Sequence, residues 1–247
     1  TFFSTPFDET SADLLRKLEV PFFKVPSGEI TNFPLLEHIA SFGKPIILST
    51  GMANLGEIEE AINVIGQKNR SNIVLMHCIS AYPANWEDAN LRAIRSLREA
   101  FNLPVGFSDH STGIELSLVA VGMGAVIIEK HITLDRSMEG GDHKASLEPH
   151  EFKDLVTKIR RLEMAMGDGV KRCMPSEENV QAVARKSIVA KKDIKKGQVI
   201  NRDYLSVKRP GTGIFPKHLE VIIGSRAKED ILSDQLISWS QLDLQNK

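Results

Sequence analysis

Two apolar runs constrain this chain more than any other feature: Val105-Gly-Phe-Ser-Asp-His110 and Ala125-Val-Ile-Ile-Glu-Lys-His131, each closing on ionisable residues. A short apolar run without polar alternation is a strand buried on both faces, as in a parallel sheet covered by helices. Side chains alternate along a strand, so Glu129 and His131 point one way and Lys130 the other. With His110 ending the neighbouring strand, two imidazoles and a carboxylate meet at one mouth. Such a mouth can hold a divalent cation with free coordination positions or can supply proton transfer. The plainer alternative is a pair of histidines that are simply hydrogen-bonded at strand ends.

The pattern recurs upstream. Strand-like runs occur at Phe2-Phe3-Ser4, Phe22 to Val25, Ile46 to Ser49 and Ile73 to Cys78, giving six with the two above. Helical patterns lie between them with start signals such as Asn54-Leu-Gly-Glu57, where Asn54 can cap and Glu57 can reach back. A repeat of roughly 20 to 30 residues suits an α/β fold, either a wound parallel sheet or a TIM barrel. Each run is followed by chemistry: Ser4-Thr5, Lys24 with Ser27 and Glu29, Ser49-Thr50, His77 with Ser80 and Tyr82, Ser108 with His110, and Glu129 with His131. In either fold, ligands sit at the carboxyl ends of the strands.

One ammonium and several hydroxyls at successive strand ends suit a phosphate or carboxylate, whose oxygens accept charge-assisted bonds. Helix capping by the same Ser and Thr residues is the competing explanation. Glu29 and Asp142 are candidate sugar-hydroxyl acceptors or acid/base groups, or else solvated loop carboxylates. His77 is either a site residue or a satisfied core histidine. His38, His143, His150 and His218 have no supporting pattern. Gly211-Thr-Gly213 lacks the third glycine and following helix of a dinucleotide fingerprint and reads as a turn, and there is no P-loop, GxSxG or HExxH.

With a formal net charge of −1 and Lys and Arg spread along the chain, no broad electrostatic footprint argues for nucleic acid or an anionic membrane. No apolar stretch is long enough to span a bilayer. Cys78 and Cys173 stand apart without a zinc or CxxC spacing, which fits a reducing, cytoplasmic compartment. Apolar residues at Phe152, Leu155, Val156, Ile159, Leu162 and Met166 form one helical stripe that closes the first domain. The expected organisation is a domain over residues 1–170, a polar linker over 171–185, and a small β-rich domain over 186–247.

Taken together, Lys24-Val-Pro-Ser-Gly-Glu29, Leu48-Ser-Thr-Gly-Met52, His77-Cys-Ile-Ser-Ala-Tyr-Pro83, Gly106-Phe-Ser-Asp-His-Ser111, Glu129-Lys-His-Ile-Thr133 and Lys208-Arg-Pro-Gly211 resemble, in order, the motifs of the sialic acid synthases. That family includes N-acetylneuraminate synthase and its legionaminate and pseudaminate relatives. The resemblance implies a TIM (β/α)8-type barrel, here lacking its first two βα units, followed by an antifreeze-protein-like (SAF) domain. It implies a cytoplasmic transferase that condenses phosphoenolpyruvate with an N-acetylated amino sugar aldehyde, adds water and releases phosphate. It implies His110 and His131 as ligands of a divalent ion, Mn2+ first and Mg2+ or Co2+ as alternatives, and places them with Glu29 in the catalytic set. Thr5, Lys24, Ser27, Ser49 and Ser108 match the phosphoenolpyruvate clamp, and Ser80 stands where some members have asparagine. Tyr82 and Asp142 join Glu29 on the sugar side, and Arg209 matches an arginine presented to the N-acetyl group across a domain-swapped homodimer. A glutamate and a lysine carried by the missing units are absent, so an N-terminally truncated synthase, inactive by itself, is the expectation. The rival readings are a barrel metallohydrolase using His77, His110 and His131, and a non-catalytic sugar-binding module.

Overall fold

The structure is a computed structural model and describes residues 1–69 and 72–244. The chain divides into two compact units, Thr1–Gly169 and Val170–Lys247.

In the first unit, α1 (Glu9–Lys17) precedes β1 (Phe23–Val25), and then helix and strand alternate: α2 (Phe33–Ala40), β2 (Ile46–Ser49), α3 (Leu55–Asn69), β3 (Ile73–Cys78), α4 (Ala93–Phe101), β4 (Val105–Asp109), α5 (Glu115–Gly122), β5 (Ile128–Lys130) and α6 (Pro149–Met166). The strands form one sheet in the order β1-β2-β3-β4-β5, and every pairing is parallel. Apolar residues of the strands, among them Phe23, Leu48, Leu75 and Phe107, pack against Leu36 and Ile39 of α2, Ile62 and Ile65 of α3, and Ile94 and Leu97 of α4. Each such side chain contributes roughly 1.5–3 kcal/mol on burial. The helices start where short polar side chains take up free N–H groups. Asp8 Oδ1 accepts from Ser11 N at 2.7 Å, and Asn54 Oδ1 accepts from Gly56 N and Glu57 N while Glu57 accepts from Asn54 N. At α6, Glu148 and Glu151 form the same reciprocal box.

This is part of a TIM-type barrel, an open five-stranded sheet. The strand expected at Phe2-Phe3-Ser4 does not form: the segment carries no ladder, and Phe3 packs its ring 4.5 Å from that of Phe22. A strand exists through its ladder bonds, and apolar composition without a ladder partner leaves only ring packing. The last run also pairs later than its composition suggests. Val126 N reaches Val105 O, but Val126 remains 59 % exposed and β5 proper begins at Ile128. One edge of β1 and one of β5 have no ladder partner among the described residues.

The second unit contains α7 (Glu178–Ala184), the antiparallel pair β6 (Ser187–Ala190) and β7 (Leu205–Lys208), α8 (Leu219–Ile222), and the antiparallel pair β8 (Arg226–Ala227) and β9 (Leu242–Asp243). Its own core gathers Ile188, Ile194, Ile200, Ile214, Ile231 and Ile237. The stretch 171–185 holds a 3-10 turn at Pro175–Glu177 and then α7. Among the described residues, no helix is long and apolar enough to cross a membrane.

Candidate active site at the carboxyl ends of the strands

The register of β4 and β5 sets the site. Ser108 lies opposite Glu129 and Asp109 opposite Lys130, so successive pairs face opposite sides of the sheet. Ser108 and Glu129 meet Lys24 of β1: Lys24 Nζ lies 3.1 Å from Glu129 Oε2, and Ser108 Oγ donates to Glu129 Oε1 at 2.6 Å. The first and last strands of the sheet thus touch through side chains, which requires the sheet to curl as a barrel wall does. Burial works to raise the Glu129 carboxyl, but Lys24 and the Ser108 hydroxyl outweigh it and leave its pKa below the ordinary value.

Beside this pair is a cradle of small polar groups around Gly51. Its N–H donates to Ser27 Oγ at 3.0 Å, and Ser27 Oγ lies 3.1 Å from Cys78 Sγ. A Cβ at Gly51 would stand 2.3 Å from Ser80 Oγ, 2.8 Å from Ser27 Oγ and 2.9 Å from Cys78 Sγ, so only glycine lets these groups converge. Ser49 is buried at the end of β2, while Thr50 is spent on Met76 O, which its hydroxyl bonds at 3.0 Å. Thr5 is half-buried in the N-terminal segment.

The two imidazoles do meet. His110 and His131 have ring centroids 5.2 Å apart, edge to face, and Tyr82 lies 4.2 Å from the first ring and 5.6 Å from the second. His110 Nδ1 is 2.7 Å from Ile79 O, a partner that can only accept, so the proton sits on Nδ1 and Nε2 carries the lone pair. That lone pair faces Ser108 Oγ at 3.2 Å, but the single hydroxyl proton is already given to Glu129. Burial first, opposed by the Ile79 bond and aided by His131, lowers the pKa of His110 and favours this neutral form. Nε2 of His110 is therefore a buried acceptor without a proton to accept, which fits a metal ligand held in place by a backbone carbonyl. Asp142 Oδ2 lies 3.8 Å from His131 Nδ1 on an exposed loop. Among the described residues, no three His, Cys, Asp or Glu side chains gather into a closed metal cage, so an ion at the two histidines would keep open positions. The Tyr82 hydroxyl has a raised pKa through burial, with Cys78, Asp142 and Glu129 adding to it.

Glu29 ends a 3-10 turn, where it accepts from Asn32 Nδ2 at 2.7 Å. Arg209 is in the second unit, exposed, with Nε donating to Ala184 O at 3.0 Å. His77 pairs in register with Phe107, stacks on its ring and donates from Nε2 to Ala89 O at 2.8 Å. It is a core histidine on the face opposite Ser108, which removes the three-histidine arrangement of a metallohydrolase. His38 contacts Asp13, and His143 Nδ1 lies 2.7 Å from the Thr133 hydroxyl. Sequence reasoning left out Gly51 as a site group and the Asp109–Lys130 pair, and it placed Glu129 at the mouth without its Lys24 partner. Glu129 was visible as a strand-end acid, but its contact with Lys24 spans 105 residues of chain and has no local signal.

Parallel strands with alternating helices and a polar cluster at their carboxyl ends define a barrel-type α/β enzyme architecture. Residues 1–171 match the NeuB family and residues 185–243 the SAF domain, so this chain belongs to the NeuB family of sialic acid synthases. It is 54% identical over 238 residues to the N,N'-diacetyllegionaminic acid synthase of Campylobacter jejuni subsp. jejuni serotype O:2, covering 96% of this chain and 71% of that protein. The enzyme of the same name from Legionella pneumophila is 44% identical, with 98% of this chain and 69% of that protein covered. The crystal structure of a putative spore coat polysaccharide biosynthesis protein E from Chromobacterium violaceum superposes with a TM-score of 0.81 at 25% identity, over 97% of this chain and 72% of that one.

Proposed function

We propose that this chain supplies most of the active site of a synthase that joins phosphoenolpyruvate to an N-acetylated amino sugar aldehyde. A nonulosonic acid and phosphate are the products. The observation that supports it most directly is the convergence of Lys24, Ser108 and the Gly51 cradle with the His110–His131 pair at the strand ends. The names of the two legionaminic acid synthases above favour a 2,4-diacetamido sugar over N-acetylmannosamine.

In this reading Lys24, Ser27, Ser49, Ser80 and Ser108, with Thr5, bind the phosphate and carboxylate of phosphoenolpyruvate. Lys24 exchanges its Glu129 partner for the incoming anion. Glu29, Tyr82 and Asp142 hold the sugar, and Tyr82 closes over both imidazoles. His110 and His131 would hold a divalent ion, Mn2+ in preference to Mg2+ or Co2+, which when bound would polarise the sugar aldehyde as a Lewis acid. The enol carbon attacks the aldehyde, water adds at the carbon that bore the phosphate ester, and phosphate departs. Arg209 recognises the N-acetyl group from the other subunit of a homodimer. The test is single-turnover formation of the ketoacid from phosphoenolpyruvate and each candidate sugar, with phosphate release measured in parallel. Binding of both substrates without either product would overturn the synthase reading for this chain.

A further inference from the structure

Behind the two histidines, on the opposite face of the same strands, lies an ion pair shut away from solvent. Lys130 Nζ is 3.2 Å from Asp109 Oδ2, and the side chains are 1% and 0% exposed. Every polar atom of the pair is engaged in a way that involves the neighbours of His110. Asp109 Oδ1 accepts from Ser111 N at 2.9 Å and from Ser111 Oγ at 2.6 Å, Oδ2 accepts from Ser117 Oγ at 2.6 Å, and Lys130 donates to Ser111 O at 2.5 Å. The backbone on both sides of His110 is thus folded around one carboxylate.

A buried ion pair is a weak source of stability, because apolar residues of the same volume often do as well. Its effect here is on register. β5 is three residues long, sits at the edge and is held by three pairings, Phe107↔Ile128, Ser108↔Glu129 and Asp109↔Lys130. A two-residue slip would preserve which face each side chain occupies, but it would bury Asp109 opposite Ile128 or Ile132 without a cation. A one-residue slip would set it opposite Glu129 or His131. Only the observed register pairs the two charges, and that register brings His131 to within 5.2 Å of His110, ring centre to ring centre.

We infer that Asp109 and Lys130 are positioning residues, a buried charge lock that holds the β4 and β5 ends in the one register that sets His110 and His131 side by side. The value of this lock for metal binding rests on the proposed role of the two imidazoles, whereas the lock itself does not. The test uses the 247-residue chain without metal and the isosteric, charge-free double variant Asp109→Asn with Lys130→Met. Imidazole 15N shifts report the His110 tautomer, a ring-to-ring NOE reports its proximity to His131, and a Co2+ titration reports affinity. The double variant is expected to fold, to lose the NOE and the fixed His110 tautomer, and to bind Co2+ about ten- to a hundredfold more weakly, as for other loosened supports of ligand histidines. A folded variant with unchanged NOE and tautomer would overturn the inference. If the native chain shows the NOE but no Co2+ binding, the metal reading fails while the lock still stands or falls on the NMR signals. Should the double variant not fold, Ser117→Ala removes one tether of Asp109 and keeps both charges. Unchanged His110 signals in that variant would also overturn the inference.

Discussion

Replacing Gly51 with alanine separates the cost of filling the anion cradle from the cost of destabilising the fold. The new methyl carbon would lie 2.3 Å from Ser80 Oγ and 2.8 Å from Ser27 Oγ, against about 3.5 Å for an ordinary contact. The two hydroxyls can rotate away, but the buried Cys78 Sγ at 2.9 Å also obstructs, so the overpacking cost falls within the usual range of about 1–3 kcal/mol. Rotation has a second effect, because it turns away two of the donors proposed to meet the phosphate. Hydrogen bonds to a charged group are worth about 1.5–3 kcal/mol each, so losing one weakens phosphoenolpyruvate binding roughly tenfold to a hundredfold. Isothermal titration with phosphoenolpyruvate, alongside urea unfolding of the same sample, reads both quantities. Adding Ser80→Ala to Gly51→Ala relieves the worst overlap and is expected to recover stability but not affinity. An unchanged dissociation constant in a folded Gly51→Ala chain would refute the cradle.

His77 has a lowered pKa, through burial first and against its Ala89 bond, so between that value and about 6.5 the unfolded chain binds more protons than the fold. Its contribution to stability is therefore complete above about pH 6.5 and is lost as the pH falls through the folded-state pKa; in His77→Gln, urea midpoints measured across this window should show a flatter slope. Arg209→Lys should raise the KM for the sugar far more than that for phosphoenolpyruvate, because an ammonium cannot hold an amide oxygen with two fixed donors; equal effects on both would remove Arg209 from the sugar side. Mixing Arg209→Ala chains with His131→Ala chains should restore part of the activity in exchanged dimers, and its absence despite proven exchange would place Arg209 in its own chain's site. The 247-residue polypeptide should self-associate through the open edges of β1 and β5, as sedimentation velocity will show; a monodisperse monomer contradicts this.

The parallel sheet was legible because its strands are apolar on both faces, and the cap at Asn54 follows from local residue types. The pairing of His110 with His131 was also legible, since period-two alternation and adjacent strands suffice to bring them together. Phe2-Phe3-Ser4 misled because composition reports the tendency to bury a segment and says nothing of whether a ladder partner is present. His77 stayed ambiguous until the register showed which face it shares with Phe107. Glu129 against Lys24, and the hydroxyls around Gly51, depend on the curl of the sheet, which brings together residues with no periodic relation in the chain.

The Lys24–Glu129 contact implies that the pocket is already neutralised before any ligand arrives. A multiply charged anion seated on Lys24 leaves the Glu129 carboxylate without its counterion, next to new negative charge. The imbalance is reduced if a proton or a cation enters with the anion. Ser108 bridges Glu129 and His110, so the nearest place for that extra positive charge is the histidine pair. Anion and cation uptake are then thermodynamically linked, and by reciprocity each tightens the other by the same factor whichever comes first.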